Sequence, residues 1–147
     1  MKIDETSIAL IRHLRDGRKS FRRIAEAVGV SENTVRSRVA GMEREGLLEI
    51  AGLVDPEGIP GHRLALIGVK LDTMELVKKG EEFSRLKGVV SVSVVTGRFD
   101  LFLQVLFNQG FGLLEFYTGE VSRVQDVQSV ETFVVYKGYN IRVPYVL

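Results

Sequence analysis

The segment IAEAVGVSENTVRSRVAGMEREGLL, residues 24–48, determines the predicted fold of the first third of the chain. Its Gly29 permits the left-handed backbone conformation that a tight turn between helices requires, and Ser31 is a favourable N-cap residue. Three apolar residues then recur at i, i+4 and i+7, the spacing of a buried helical face: Val35, Val39 and Met42. The segment therefore predicts a short helix, a tight turn and a longer helix that Gly46 terminates.

An earlier helix is expected to complete this unit. Asp4 can cap it, and apolar residues repeat at every third position, as on a buried helical stripe: Ile8, Ile11 and Leu14. Gly17 ends this first helix, and the second helix starts at Ser20. Three short helices with a glycine-containing turn between the second and third are typical of a helix-turn-helix.

The outward face of the third helix is suited to contact with DNA. Four residues lie opposite its buried stripe, namely Asn33, Ser37, Ala40 and Arg44. They are small or hydrogen-bonding near the N-terminal end of the helix, so this end can enter a major groove. Asparagine and arginine also fit bidentate contacts with adenine and guanine edges. Residues at the start of the second helix are in position to contact phosphates.

These considerations predict DNA contacts from the second and third helices. The residues are Lys19, Ser20, Arg22, Arg23, Ser31, Asn33, Thr34, Arg36, Ser37, Arg38 and Arg44. Arg38 flanks the buried face, so a phosphate contact and a structural ion pair are both open for it. Residues 12–44 hold nine basic and four acidic side chains although the net charge of the chain is only +1, a local excess that favours binding to phosphates. A solvated helical face is the alternative explanation of this charge.

Composition restricts the class of protein. The chain has 147 residues, 45% of them hydrophobic, and no cysteine, which excludes a disulfide framework, a zinc ribbon and a thiol nucleophile. No run of about 18 uncharged apolar residues occurs, and the N-terminus lacks the apolar core of a signal peptide. We therefore expect a cytoplasmic protein with no membrane contact, no metal site and no cofactor.

A linker separates two expected domains. Residues 50–54 can form a short strand, and Asp55-Pro56-Glu57-Gly58 fits a type I turn. Further glycine and proline residues up to His62 are typical of a domain boundary. We expect a helix-turn-helix domain over residues 1–49, a hinge strand and linker over 50–62, and a second domain over 63–147. His62 is expected to be a hinge or surface residue, not a ligand.

The second domain alternates strand-like and helix-like runs. The predicted elements are a strand at 64–71, a helix at 74–86, strands at 89–95 and 101–107, a helix over 114–124 and a strand at 127–136. This βαββαβ order predicts a ferredoxin-like fold. The fold class is thus α+β, with a three-helix, winged helix-turn-helix before the ferredoxin-like domain. A last segment, 141–147, alternates like an edge strand, the only sheet position that suits Pro144.

The predicted strands imply self-association. In a ferredoxin-like unit both helices cover one face of the sheet, yet residues 64–69 and 101–103 are apolar on both faces. An uncovered second face would be a large apolar patch, and a second subunit is the simplest cover. We therefore predict an obligate homodimer, which would present two recognition helices to two half-sites. The alternative is that the C-terminal segment covers the face within one chain.

The chain resembles the Lrp/AsnC family of transcription regulators in both halves. In the first half the matching residues are Gly29, Val30, Ser31, Thr34, Val35, Arg38, Val39, Met42 and Gly46. Met42 stands where the family commonly has Leu, and Leu48 where Ile is usual; both changes are mild. In the second half the match is strongest over Thr96-Gly97-Arg98-Phe99-Asp100-Leu101. The two resemblances span essentially the whole chain, in the family's order.

The resemblance implies a sequence-specific DNA-binding regulator that forms dimers or octamers. In that family small effectors, often amino acids, bind between effector domains of adjacent dimers near this turn. Carried over, Gly97 would allow close backbone approach and Asp100 would hold an ammonium group, with Thr132 as a further candidate. Gly97 and Asp100 are also ordinary hairpin-turn residues, and Asp100 can equally bind backbone N–H groups.

Two other functions stay open at this point. Some haem-biosynthesis decarboxylases share the two-part architecture, but they would need a His or Arg cluster, and only His13 and His62 occur here. The sequence contains no catalytic triad, no metal-spaced histidine pair and no phosphate-binding glycine loop, so we expect that the protein is not an enzyme. The second alternative is a metabolite-sensing oligomer whose small helical face, Ser37, Ala40 and Gly41, binds protein. Strong salt dependence of binding would favour DNA over this alternative.

Overall fold

The computed structural model describes residues 3–147, which form two compact units that divide between Ala51 and Gly52. The first unit contains helices α1 (Glu5–Leu14), α2 (Phe21–Val28) and α3 (Glu32–Arg44). The helix-turn-helix expected from the sequence is confirmed.

Each helix of the first unit starts at a side-chain cap. Asp4, Ser20 and Ser31 accept hydrogen bonds from the backbone N–H groups three residues on. These bonds satisfy N–H groups that have no partner inside the helix. Gly29 ends α2 with a φ of 75°, the left-handed conformation that the tight turn into α3 requires. The buried core joins all three helices through Leu10, Ile24, Ala25, Val35, Val39 and Met42.

The second unit contains a four-stranded antiparallel sheet and a short ribbon. Its strands are β1 (Leu53–Val54), β2 (Arg63–Leu71), β3 (Val89–Val94), β4 (Leu101–Phe107), β5 (Val127–Val134) and β6 (Val143–Pro144). The sheet has the order β3-β4-β2-β5, and β1 pairs with β6 in the ribbon. Helix α4 (Leu76–Ser84) and a helical segment between β4 and β5 complete the βαββαβ arrangement, so the ferredoxin-like prediction is confirmed.

Two predicted elements differ from those observed. The helix expected over 114–124 is instead α5 (Leu113–Glu115), a π-helical turn (Phe116–Glu120) and a 3₁₀ turn (Val121–Arg123). The hydroxyls of Thr118 and Ser122 donate to the carbonyls of Leu114 and Thr118, and such bonds compete with regular helical pairing.

The predicted final strand over 141–147 was wrong in extent. Only Val143 and Pro144 pair, and their partners are Val54 and Leu53 of β1, not a strand of the main sheet. Pro144 has no N–H to donate to a ladder, which fits a two-residue ribbon at the edge of the unit.

The two faces of the sheet are covered differently. The inner face packs against the helical segments and holds the main core, which includes Ile67, Val69, Leu103, Phe83 and Phe116. The outer face carries an aromatic cluster formed by Phe99, Phe102 and Phe133, in which the rings of Phe102 and Phe133 stack with centroids 6.0 Å apart. Leu64 at one end of this outer face is buried, whereas Phe133 keeps 40% of its surface exposed.

Gly68 of β2 lies directly beneath the aromatic cluster. A Cβ atom at this position would come within 2.6 Å of the ring of Phe99, closer than real Cβ contacts allow. The ring therefore occupies space that only a glycine leaves free, and the turn that carries Phe99 is held against the centre of the sheet.

We expect Gly68→Ala to destabilise the second unit by about 1–3 kcal/mol, because Phe99 must leave its position to admit the methyl group. Urea unfolding at fixed protein concentration measures this loss. Gly52→Ala is the control, since nothing lies within 4 Å of the Cβ position there. Phe99→Ala alone should also lower the free energy of unfolding. In the double variant Gly68→Ala/Phe99→Ala the loss of stability should be smaller than the sum of the two single losses; a strictly additive loss would show that the two residues do not interact.

Candidate DNA-contacting face and ligand-binding turn

The outward face of α3 is open to solvent. Asn33, Arg36, Ser37, Ala40 and Arg44 are exposed and Thr34 is half-buried, whereas Gly41, expected beside this face, is buried. The Arg36 guanidinium donates to Glu32 at 2.9 Å and lies 5.5 Å from the centroid of the Phe21 ring. This long side chain is therefore held at the junction of α2 and α3.

Four predicted phosphate-contacting residues lie at the start of α2, namely Lys19, Ser20, Arg22 and Arg23, whereas Ser31 and Arg44 lie at the two ends of α3. Ser20 and Ser31 act as helix caps, so their hydroxyls are already bonded. Arg22 pairs with Glu26 at 3.1 Å, and the Lys19 ammonium contacts Nδ1 of His13 at 2.8 Å. The guanidiniums of Arg23 and Arg44, by contrast, have no ion-pair partner within residues 3–147.

Arg38 forms a structural ion pair. Its guanidinium donates to Asp4 at 2.6 Å and to the Ser7 hydroxyl at 3.0 Å, which ties α3 to the start of α1. The hydrogen bond from Arg38, together with those from the Ser7 backbone and hydroxyl, holds the pKa of Asp4 well below its usual range. Of the two roles that the sequence left open for Arg38, the structure provides the partners for the ion pair.

A further basic patch lies beside the start of α2, and of its residues only Lys19 was among the predicted site residues. Arg12, His13, Arg15, Asp16 and Lys19 line an open depression of about 400 Å³. The local excess of basic residues was visible in the sequence, and the turn after α1, in which Asp16 and Lys19 donate backbone hydrogen bonds to His13 and Asp16, brings these neighbouring residues together.

The turn between β3 and β4 is anchored to β2 by Asp100. Its carboxylate accepts from the Lys70 ammonium at 2.9 Å and from the Leu71 backbone N–H at 2.8 Å. The N–H of Leu71, and then Lys70, lower the pKa of Asp100 below its ordinary value. Both carboxylate oxygens therefore have partners inside the chain.

The other predicted effector-binding residues have different surroundings. Gly97 is exposed with a φ of 114°, and nothing lies within 4 Å of its Cβ position, so the backbone there can be approached closely. Thr132 lies on the helix-covered side of β5, opposite Ile67, and its hydroxyl contacts the Tyr117 hydroxyl. Arg98 pairs with Glu131 at 2.8 Å and lies over the Phe99 ring. The structure thus brings Gly97 and Asp100 together on one turn, with Thr132 further along the sheet.

Residues 3–147 contain neither a metal-binding cluster nor a membrane-spanning helix. No group of three or more His, Cys, Asp or Glu residues in this range is arranged to hold a metal ion. Across the same range, no helix combines the length and apolarity needed to span a bilayer.

Both halves of the chain match family models. Residues 3–43 match the AsnC-type helix-turn-helix domain, and residues 64–144 match the Lrp/AsnC ligand binding domain. An HTH-type transcriptional regulator from Pyrococcus abyssi is 30% identical over 137 residues, covering 92% of this chain and 87% of the relative.

Solved structures share the fold. Escherichia coli AsnC superposes with a TM-score of 0.71 at 22% identity, covering 97% of each chain. A transcriptional regulator from Neisseria meningitidis, solved as a complex with L-Met, gives a TM-score of 0.70 at 22% identity, covering 99% of this chain and 96% of that one.

Asp4→Asn should lower the melting temperature at neutral pH, because asparagine can still cap α1 but cannot pair with the Arg38 charge. Since folding lowers the pKa of Asp4, its contribution is present above the unfolded pKa of about 4 and is lost as the pH falls below it. The difference in melting temperature between wild type and variant should therefore shrink below about pH 4. A constant difference across this range, measured by thermal unfolding, would contradict the assignment.

Proposed function

The chain belongs to the Lrp/AsnC family of helix-turn-helix transcription regulators, and we propose that it acts as a homodimer that reads specific DNA under the control of a small effector. The observation that carries the DNA-binding part is the exposed face of α3, with Asn33, Arg36 and Ser37 on it. Family membership also favours a regulator over the decarboxylase alternative. As a regulator of transcription it would work in the cytoplasm and need no cofactor.

The proposed contacts divide into two groups. Asn33, Thr34, Arg36 and Ser37 would face base edges, since they lie on the N-terminal half of the outward face of α3. Lys19, Ser20, Arg22 and Arg23 would face phosphates, together with Ser31 and Arg44. Arg23 and Arg44 are the strongest candidates for phosphate contacts, because no carboxylate pairs with either guanidinium within the described chain. Arg38 would act mainly by fixing α3 against α1.

The proposed dimer would use the outer face of the sheet. This face presents a central patch of Phe99, Phe102 and Phe133 next to Leu66, with none of the four fully buried. Packing this patch against the same patch of a second copy removes apolar surface from water and forms a two-fold interface. The contact would be sheet on sheet, and further assembly to an octamer would use other surfaces.

The proposed effector is a small amino acid, as in the Neisseria meningitidis relative that was solved with L-Met. Gly97 supports a site at the β3–β4 turn, because its open surroundings leave the backbone accessible. Asp100 already pairs with Lys70, so an effector ammonium would have to share or displace that partner. Thr132 would contribute only if its contact with Tyr117 opened. Gly97 is therefore the strongest of the three candidates.

Arg36→Ala should weaken binding to a cognate site by about 1–3 kcal/mol but leave binding to random DNA nearly unchanged, if Arg36 reads a base. Arg22→Ala is the matched control, because Arg22 is also an exposed arginine paired with a glutamate four residues away along a helix. It should weaken both DNAs equally and reduce the slope of affinity against salt. Fluorescence anisotropy with the fragment upstream of the protein's own gene and a random fragment would measure all four affinities.

If Arg36→Ala weakened both fragments equally, Arg36 would be assigned to a phosphate. If the unmodified protein bound neither fragment even at low salt, the proposed DNA binding would be wrong.

Phe133→Lys should shift the dimer–monomer equilibrium toward monomer by at least roughly tenfold, because an ammonium group would be buried in the apolar contact. Sedimentation equilibrium measures this directly. Val77→Lys is the control: Val77 is 73% exposed on α4, which covers the opposite face of the sheet. An unchanged dimer in Phe133→Lys, or a monomeric wild type, would exclude the outer face as the interface.

A further inference from the structure

The linker segment, residues 53–62, is tied to the C-terminal segment, residues 135–147, by several independent contacts. Strands β1 and β6 pair, Arg142 donates to Asp55 at 3.0 Å, and Lys137 contacts Glu57 at 2.6 Å. Further along the linker, Nε2 of His62 lies 3.1 Å from the Tyr145 hydroxyl. The C-terminal segment therefore holds the linker in a fixed position within the second unit.

A cavity of about 340 Å³ lies between the two segments and the adjoining ends of β2 and β5. This volume is within the range of small-molecule sites, about 300–1,000 Å³. Its wall is apolar over much of its extent, and the apolar and aromatic residues among those that line it are Pro56, Leu64, Val134, Val135, Tyr136 and Ile141. The cavity thus has the size and the surface for a compact ligand with an apolar body.

The charged residues at the cavity decide which ligand would fit. Both carboxylate oxygens of Glu57 are occupied, one by Lys137 and the other by the N–H of Gly138, and both bonds lower the pKa of Glu57. The bond with Glu57 raises the pKa of Lys137. Asp55 is paired with Arg142. The carboxylates at the wall are therefore already neutralised and offer little to an ammonium group.

Unlike Glu57 and Asp55, Arg63 has no charged partner within residues 3–147. Its guanidinium has no hydrogen bond, ion pair or ring contact within residues 3–147, and its side chain is exposed. It borders this cavity and an adjoining apolar one of about 250 Å³, which shares Leu64 and Val134 with it. An unpaired guanidinium in the lining of a largely apolar cavity matches a carboxylate on an apolar body.

We propose that this cavity binds a small apolar monocarboxylate without an ammonium group, and that Arg63 pairs with its carboxylate. The apolar body lies against Pro56 of the linker and Ile141 of the C-terminal segment, so an occupied site stabilises the contact between these two segments. The first unit ends at Ala51, and the ligand therefore acts on the part of the second unit that directly follows it in the sequence. This site is separate from the β3–β4 turn, and its test does not involve DNA.

The experiment is titration of the ¹⁵N-labelled full chain with isovalerate, phenylacetate and α-ketoisocaproate, followed by amide chemical shifts. We expect saturable shifts at His62, Val135 and Gly138 with at least one of these carboxylates. Isoamyl alcohol and leucine should bind roughly tenfold more weakly, because the alcohol lacks the charge and the ammonium of leucine has no free partner.

Substitutions at Arg63 test the assigned pairing. Arg63→Gln should weaken the best carboxylate by roughly tenfold or more, and Arg63→Lys, which keeps the charge, should weaken it less. Arg123→Gln is the control, because Arg123 is likewise exposed and unpaired but does not line the cavity. The amide spectrum of each variant shows at the same time that it is folded.

Three results would overturn the proposal. They are the absence of shifts with all three carboxylates at about 10 mM, equal weakening by Arg63→Gln and Arg123→Gln, and shifts confined to residues 96–100. The last of these would place the ligand at the turn and not at the linker.

Discussion

The central strand β2 is apolar on both of its faces, and much of the organisation of the second unit follows from this constraint. Ile67 and Val69 point into the core beneath the helical segments, where both are buried. The side chains on the outer face of β2 are covered only in part by the chain itself, since Leu64 is buried while Leu66 remains half-exposed. An apolar face of this kind is stabilised by a second sheet, which is the physical reason for proposing a dimer.

The same constraint links the β3–β4 turn to the middle of the sheet. Phe99 leaves the turn and lies over Gly68, and Asp100 bonds Lys70 and the backbone of Leu71. The turn is therefore held to β2 by one apolar contact and by a pair of charge-assisted hydrogen bonds. A ligand at Gly97 would act on a turn with a fixed connection to the face proposed for dimerisation, so effector binding and subunit packing would be coupled through Phe99.

Local signals in the sequence predicted the helix caps, the left-handed Gly29 and the strand over residues 101–107, because each depends on a few neighbouring residues. Contacts between distant residues were not predictable in this way. The Asp4–Arg38 pair joins residues 34 positions apart, and the pairing of β1 with β6 joins the linker to the end of the chain. The cavity beside Arg63 arises only from that long-range pairing. The broken helix around Thr118 was missed for a different reason: its apolar spacing is helical, but its hydroxyl groups compete for backbone carbonyls.

The ion pair between Arg36 and Glu32 bears on how α3 would read DNA. Both residues are exposed, and an exposed pair four residues apart on a helix contributes only about 0.3–0.5 kcal/mol. A bidentate contact of arginine with guanine contributes about 1–3 kcal/mol, so exchanging Glu32 for a base is favourable at a correct site. At an incorrect site Arg36 finds no guanine edge, so the pair with Glu32 stays closed and this gain is absent. Arg36 would therefore strengthen specific binding while leaving non-specific binding nearly unchanged, and this difference in affinity is what specificity requires.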